Sequence, residues 1–210
     1  MKKNVFLICS LMISSLAYSQ VGINTANPQG ILHVDGAKDN PQTGIPTEAQ
    51  QVNDFTVTEM GNVGIGTTTP HAALEFNNNV GSRKIVMYET GNNDHQFYGF
   101  GVNGGILRYQ TDTTNSDHVF YAAASATASN ELMRIKGNGN VGMGTSAPNA
   151  NAILDIASSN KGVLFPRLTT AQRNAITPVP EGLTIYNITA HCLQYWNATT
   201  WAGDGCSTTP

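Results

Sequence analysis

Charge is scarce in this chain: only 12% of its 210 residues are charged, and 8% are aromatic. Outside Lys2-Lys3 and Arg83-Lys84 no basic residues stand together. A chain without a basic cluster is a poor ligand for nucleic acid or an anionic membrane surface, so neither partner is expected. Long apolar runs are missing beyond the first twenty residues, and nothing there approaches the roughly 18 residues a membrane span needs. Large aliphatic and Phe side chains are few as well, with Leu, Ile, Val and Phe supplying 39 of the 191 residues from 20 to 210. Gly, Asn and Thr supply 65 of the same residues. Such a chain makes strands and turns readily but cannot fill a thick core alone, which suits an elongated object whose copies complete one another.

Catalytic signatures are also wanting. There is no Gly-x-Ser-x-Gly, no paired Cys/His metal spacing and no phosphate-cradling loop. Gly99-x-Gly101-x-x-Gly104 matches a dinucleotide fingerprint by letter, but it lies between two strand-like segments with no helix after it. The expectation is a protein with no catalytic residues, no metal and no cofactor. A hydrolase stays only as a remote alternative.

What is present begins with a leader. Lys2 and Lys3 precede the apolar stretch Val5 to Leu16, and Ala17-Tyr18-Ser19 offers small residues before Gln20. This reads as a secretory signal peptide over residues 1–19 and implies an extracytoplasmic product, secreted or on the cell surface. Cys9 sits inside the apolar stretch, which argues against a lipid anchor. Without Lys2 and Lys3, nine of the eleven basic residues face fourteen acidic ones, a net charge near −5. The cysteines left, Cys192 and Cys206, read as a disulfide in an oxidising compartment, with two free thiols the alternative.

One motif occurs three times: Val21-Gly-Ile-Asn-Thr-x-x-Pro28, Val63-Gly-Ile-Gly-Thr-x-x-Pro70 and Val141-Gly-Met-Gly-Thr-x-x-Pro148. Each copy is followed by a second alternating piece, Leu32-His-Val34, Leu74-Glu-Phe76 and Leu154-Asp-Ile156. Period two places Val and Ile/Met on one face and the glycines on the other, where a missing Cβ lets another backbone approach. Thr-x-x-Pro turns the chain and Pro ends the first strand. Strands this short must stack on neighbours, from the same chain or from other copies.

The stretch from about 35 to 60 is polar and reads as a linker or loosely ordered loop ending in a strand at Phe55 to Val57. Residues 80–137 hold five strand-like segments separated by Asn/Gly turns, expected to form one compact antiparallel β domain. After the third connector, residues 138–159, the terminal module 160–210 opens on Gly162-Val-Leu-Phe-Pro-Arg167. Thr169 and Gln172 form an N-capping box for a short helix, Thr170 to Ile176, before a hairpin that the cysteines would close. The fold class is all-β: short-stranded connectors over 20–79, a central antiparallel domain, and a helix-plus-hairpin module, in a fibre-like whole.

The strongest chemical candidate is a repeated D-H-x-F-Y, Asp94-His95-x-Phe97-Tyr98 and Asp117-His118-x-Phe120-Tyr121. Two Asp-His pairs flanked by aromatics suit sugar hydroxyls and ring stacking, or a divalent metal. The plainer reading is a common turn-to-strand junction in related hairpins. Asp94, His95, Tyr98, Asp117, His118 and Tyr121 are therefore the candidate binding residues. Asn187-Ile-Thr189 and Asn197-Ala-Thr199 also fit the glycosylation acceptor pattern, which is short and common.

The runs Gly61-Asn-Val-Gly-Ile-Gly-Thr67 and Gly139-Asn-Val-Gly-Met-Gly-Thr145 resemble connectors of phage tail-fibre-like proteins, including secreted bacterial forms. The segments Asn160 to Ile176, Glu181 to Asn187 and Cys192 to Asn197 look like a terminal module of the same proteins. The resemblance implies intertwined β-structured homotrimers that present receptor-binding surfaces. It leaves open a lectin-like reading in which the 80–137 segment contacts a cell-surface glycan or receptor. Many such fibres end in a self-cleaving chaperone with a Ser/Lys dyad. No segment of that size follows residue 160, so autoproteolysis is not expected.

Overall fold

A computed structural model describes residues 20–203 and Cys206. The leader, residues 1–19, lies outside the described residues. The chain divides into two units, 1–116 and 117–210. Apart from two short helices the architecture is all-β, with the strands in four sheets among the described residues.

The first unit opens on a five-stranded sheet: β1 (Val21–Ile23), β2 (Leu32–Asp35), β3 (Asp54–Val57), β4 (Val63–Ile65) and β5 (Leu74–Phe76), in that order. Each motif copy gives two parallel strands joined by the Thr-x-x-Pro loop. The register is the same every time, Val21 opposite Leu32 and Val63 opposite Leu74. Strand β3 runs antiparallel to both β2 and β4.

The motif's letters each have a local cause. Its second residue must be Gly because a Cβ at Gly22, Gly64 or Gly142 would lie under 3.0 Å from the carbonyl oxygen of Thr25, Thr67 or Thr145. The close backbone is thus the motif's own turn, not a neighbouring strand. Its fourth residue has a positive φ in all three copies: Asn24 61°, Gly66 75° and Gly144 72°. Only Gly and Asn adopt that conformation cheaply, which accounts for the Gly/Asn alternation. The threonine Oγ1 then accepts the N–H two residues on, at 3.1, 3.4 and 3.2 Å. After the proline, the next N–H donates to the middle side chain of the second strand: His33 Nδ1 at 3.1 Å, Glu75 Oε2 at 2.5 Å and Asp155 Oδ2 at 2.9 Å.

Residues 36–53, expected as a loose linker, are instead pinned. Asp35 accepts the N–H groups of Asp39 and Asn40, and helix α1 (Glu48–Gln51) carries a complete capping box at Thr47. Because His33 Nδ1 already accepts from Gln29, its proton sits on Nε2, which donates to Asp54 Oδ2 at 3.0 Å; Asn40 Nδ2 donates to the same oxygen at 2.8 Å. Both His33 and Asp54 are buried. Burying polar groups is tolerable when they bond one another, as His33 Nε2, Asn40 Nδ2 and Asp54 Oδ2 do, while Asp54 Oδ1 is left without a partner among the described residues.

The same unit contains a three-stranded antiparallel sheet of β6 (Gly81–Glu89), β7 (Phe97–Asn103) and β8 (Ile106–Gln110). Its β7–β8 hairpin turns on Gly104-Gly105. Phe97 is fully buried, with the Arg108 guanidinium 5.8 Å from its ring centre.

In the second unit β9 (His118–Ala123), β10 (Ser129–Ile135), β11 (Val141–Met143) and β12 (Leu154–Ile156) form a sheet in the order β12-β11-β10-β9. The five strands expected within 80–137 are therefore all present but do not make one domain: β9 and β10 belong with the third motif copy. The reason is a shared hairpin. Lys136 N–H bonds to Asn140 O, as Thr58 N–H does to Asn62 O, with Gly139 and Gly61 at positive φ in the two turns. Strand β10 stands to β11 as β3 stands to β4.

The last sheet is β13 (Arg167–Leu168), β14 (Thr184–Asn187), β15 (Cys192–Trp196) and β16 (Trp201–Ala202). Helix α2 (Thr170–Asn174) has the expected capping box at Thr169 and Gln172, and Cys192 and Cys206 form the expected disulfide.

Candidate assembly surface

Period-two alternation in the β9–β12 sheet sets two rows of side chains on one face. Leu154, Val141, Ile135 and His118 are in register across it, as are Ile156, Met143, Met133 and Phe120. Leu154, Ile156, Met143 and Phe120 are all more than 40% exposed. The opposite face carries Gly142, closed by its own threonine turn, and Arg134. Arg134 donates to both oxygens of Glu131 at 2.9 and 2.8 Å and to Asp117 Oδ2 at 2.6 Å. The hydrogen bonds from Arg134, first of all, hold the Glu131 carboxyl below the usual carboxylate range, while Arg134 is held above its own. Polar side chains are thus tied up within the unit, while the apolar row is left at the surface.

The terminal sheet repeats this division. Ile185, Asn187, Cys192 and Gln194 are buried on one face, where Arg173 and Asn187 both donate to Gln194 Oε1 at 2.7 and 2.9 Å. The other face presents Arg167, Tyr186 and Leu193 in register. Beside them runs the irregular strap Val163-Leu164-Phe165, with Leu164 81% exposed. Together they line an open apolar recess of about 470 Å³. An exposed apolar strap beside a face of Arg, Tyr and Leu is what a monomer avoids and an interface needs.

The D-H-x-F-Y residues fall into two separate settings. Asp94 pairs with Arg83 Nε at 3.1 Å, His95 lies in the exposed bend before β7, and Tyr98 hydroxyl bonds to Ser116 Oγ at 2.8 Å. Asp117 holds Arg134, His118 opens β9 within the apolar row, and Tyr121 is exposed. The equivalent phenylalanines diverge, Phe97 being fully buried and Phe120 at the surface. The two copies serve different sheets in different units, and neither Asp is left with an uncommitted carboxylate. Among the described residues no His/Cys/Asp/Glu group is arranged to hold a metal.

Two functional features escape the sequence reading. The Val163–Phe165 strap was legible only as the opening of a module, although three large apolar residues before a proline in so polar a chain are a signal. The buried His33–Asp54 pair was hidden because His33 occupies the place where the other motif copies carry Glu75 and Asp155.

Residues 142–208 match the family model described as the phage tail like trimerisation region. The match takes in the third motif copy from Gly142, the apolar strap and the terminal sheet. No curated protein matches the chain.

Proposed function

We propose that this chain is the subunit of a non-enzymatic, extracytoplasmic homotrimer of the tail-fibre type, whose role is structural or adhesive. The observation that carries the reading is the pairing of the exposed apolar strap Val163–Phe165 with the mixed face of Arg167, Tyr186 and Leu193, inside the region that matches a trimerisation family. Three copies would bury these groups against one another, supplying the core that each copy is too poor in large side chains to build alone. The leader read at residues 1–19 and the Cys192–Cys206 disulfide support an address in an oxidising compartment. Multi-angle light scattering on the mature chain is expected to give three chain masses. A monomer at micromolar concentration would end this reading.

A second reading, glycan contact, draws on the three-stranded sheet. Tyr98, Phe100 and Tyr109 share its surface, with Phe100 and Tyr109 stacked at 5.1 Å and 12° and Tyr88 inclined to Tyr98 at 5.9 Å. Exposed aromatics of this kind are what a sugar ring stacks on.

A further inference from the structure

The five-stranded sheet lies outside residues 142–208, yet it is built inside out. Its registered rows are Val21, Leu32, Val57, Val63 and Leu74, then Ile23, Val34, Phe55, Ile65 and Phe76. All ten residues are apolar, and five of them are between 36% and 54% exposed: Val21, Ile23, Phe55, Ile65 and Leu74. Between these rows, on the opposite face, stand Gly22, His33, Thr56, Gly64 and Glu75. There His33 and Thr56 are completely buried under the chain's own loops. A free-standing sheet does the reverse, turning its polar row to water and its apolar row inward.

We propose that this apolar face is a second self-association surface, covered by the same face of other copies of this chain. Three observations choose that occupant. First, β4–β5 and β11–β12 share one register and one turn, and β11–β12 from Gly142 on falls within the stretch matching the trimerisation region, so the exposed face of the third copy is the same construction in a region that matches an assembly family. Second, none of the ten side chains carries a charge or a hydrogen-bonding group, so a glycan or a polar peptide would find nothing to bond there. Third, strands about 4.8 Å apart make the patch roughly 20 Å across, the scale at which apolar surface on a monomer signals an interface.

The number of copies rests on the homotrimer reading, but the location of the face does not. Thiol accessibility separates the two. In the mature full-length protein, with Cys192 and Cys206 in their disulfide, Ile65→Cys is alkylated alongside the reference Met60→Cys, whose native residue is 88% exposed at a hairpin tip. Leu74→Cys is the parallel variant if Ile65→Cys fails to fold. The face thiol is expected to react about tenfold or more slowly than the reference in the native assembly and at the same rate in denaturant. Equal native rates in a preparation that light scattering shows to be trimeric would overturn this face while leaving the trimer intact. A monomer would overturn both.

Discussion

At the residue scale the repeat is a set of backbone requirements, not a list of favoured letters. The reading that glycine admits a close backbone was sound in kind, yet period two could not say which backbone. The answer depends on the left-handed fourth residue, Asn24, Gly66 or Gly144, which curls the threonine carbonyl back over the second. This leads to a graded prediction. Gly61→Ala meets open space and suffers only its positive φ, a cost of about 1 kcal/mol. Gly64→Ala drives a Cβ against the Thr67 carbonyl and must displace the turn, which should cost about 2–3 kcal/mol. Denaturant midpoints of the two variants, measured side by side, should fall in that order. Equal midpoints would mean that the turn is softer than its geometry implies.

At the element scale, a hairpin followed by a parallel strand is the working piece. Its loops close over the face that carries the polar middle residues of the strands. Thr56, for example, belongs to the face that a soluble sheet would turn to water, and it is buried. Alternation announces that two faces differ; it cannot announce which one the loops will cover. The short helix α1 was equally hidden, because its four residues carry no periodic apolar face and only the Thr47 capping box marks its start. By contrast α2 was legible from Thr169 and Gln172, since a module rich in apolar residues surrounds it. Strand β10 gives the element-scale prediction. Glu131 is held below the ordinary carboxylate range by hydrogen bonds from Arg134, then by its charge, with burial and the Asp117 charge opposing. A carboxyl lowered by folding stabilises the folded state above its unfolded value and loses that contribution as pH falls through the folded one. Amide exchange of β10 should therefore accelerate relative to β7 as pH is lowered from neutral to below the carboxylate range, after correction for intrinsic rates. Glu131→Gln should flatten that difference. An unchanged pH profile in the variant would remove Glu131 from the account.

At the scale of the whole molecule, the shortage of large aliphatic side chains was the most informative feature of the sequence. It pointed to a chain that leaves part of its core to its copies. Apolar faces stand at the surface in the five-stranded, β9–β12 and terminal sheets, where a self-sufficient domain would have closed them. The aromatics proposed for glycan contact stand outside the apolar rows of these sheets. Tyr98 keeps its hydroxyl on Ser116 and its ring against Tyr88, while Tyr121 projects from the second unit at 60% exposure. If these aromatics contact sugar rings, Tyr98→Ala or Tyr121→Ala should weaken retention on a binding glycan by roughly two- to tenfold, the equivalent of one aromatic stacking contact. The mass measured by light scattering should stay the same, because neither ring lies in the apolar rows assigned to assembly. Loss of the oligomer together with the binding would instead make these tyrosines part of the interface. A broad glycan array with no signal above background would remove the adhesive part of the proposed function and leave only the structural one.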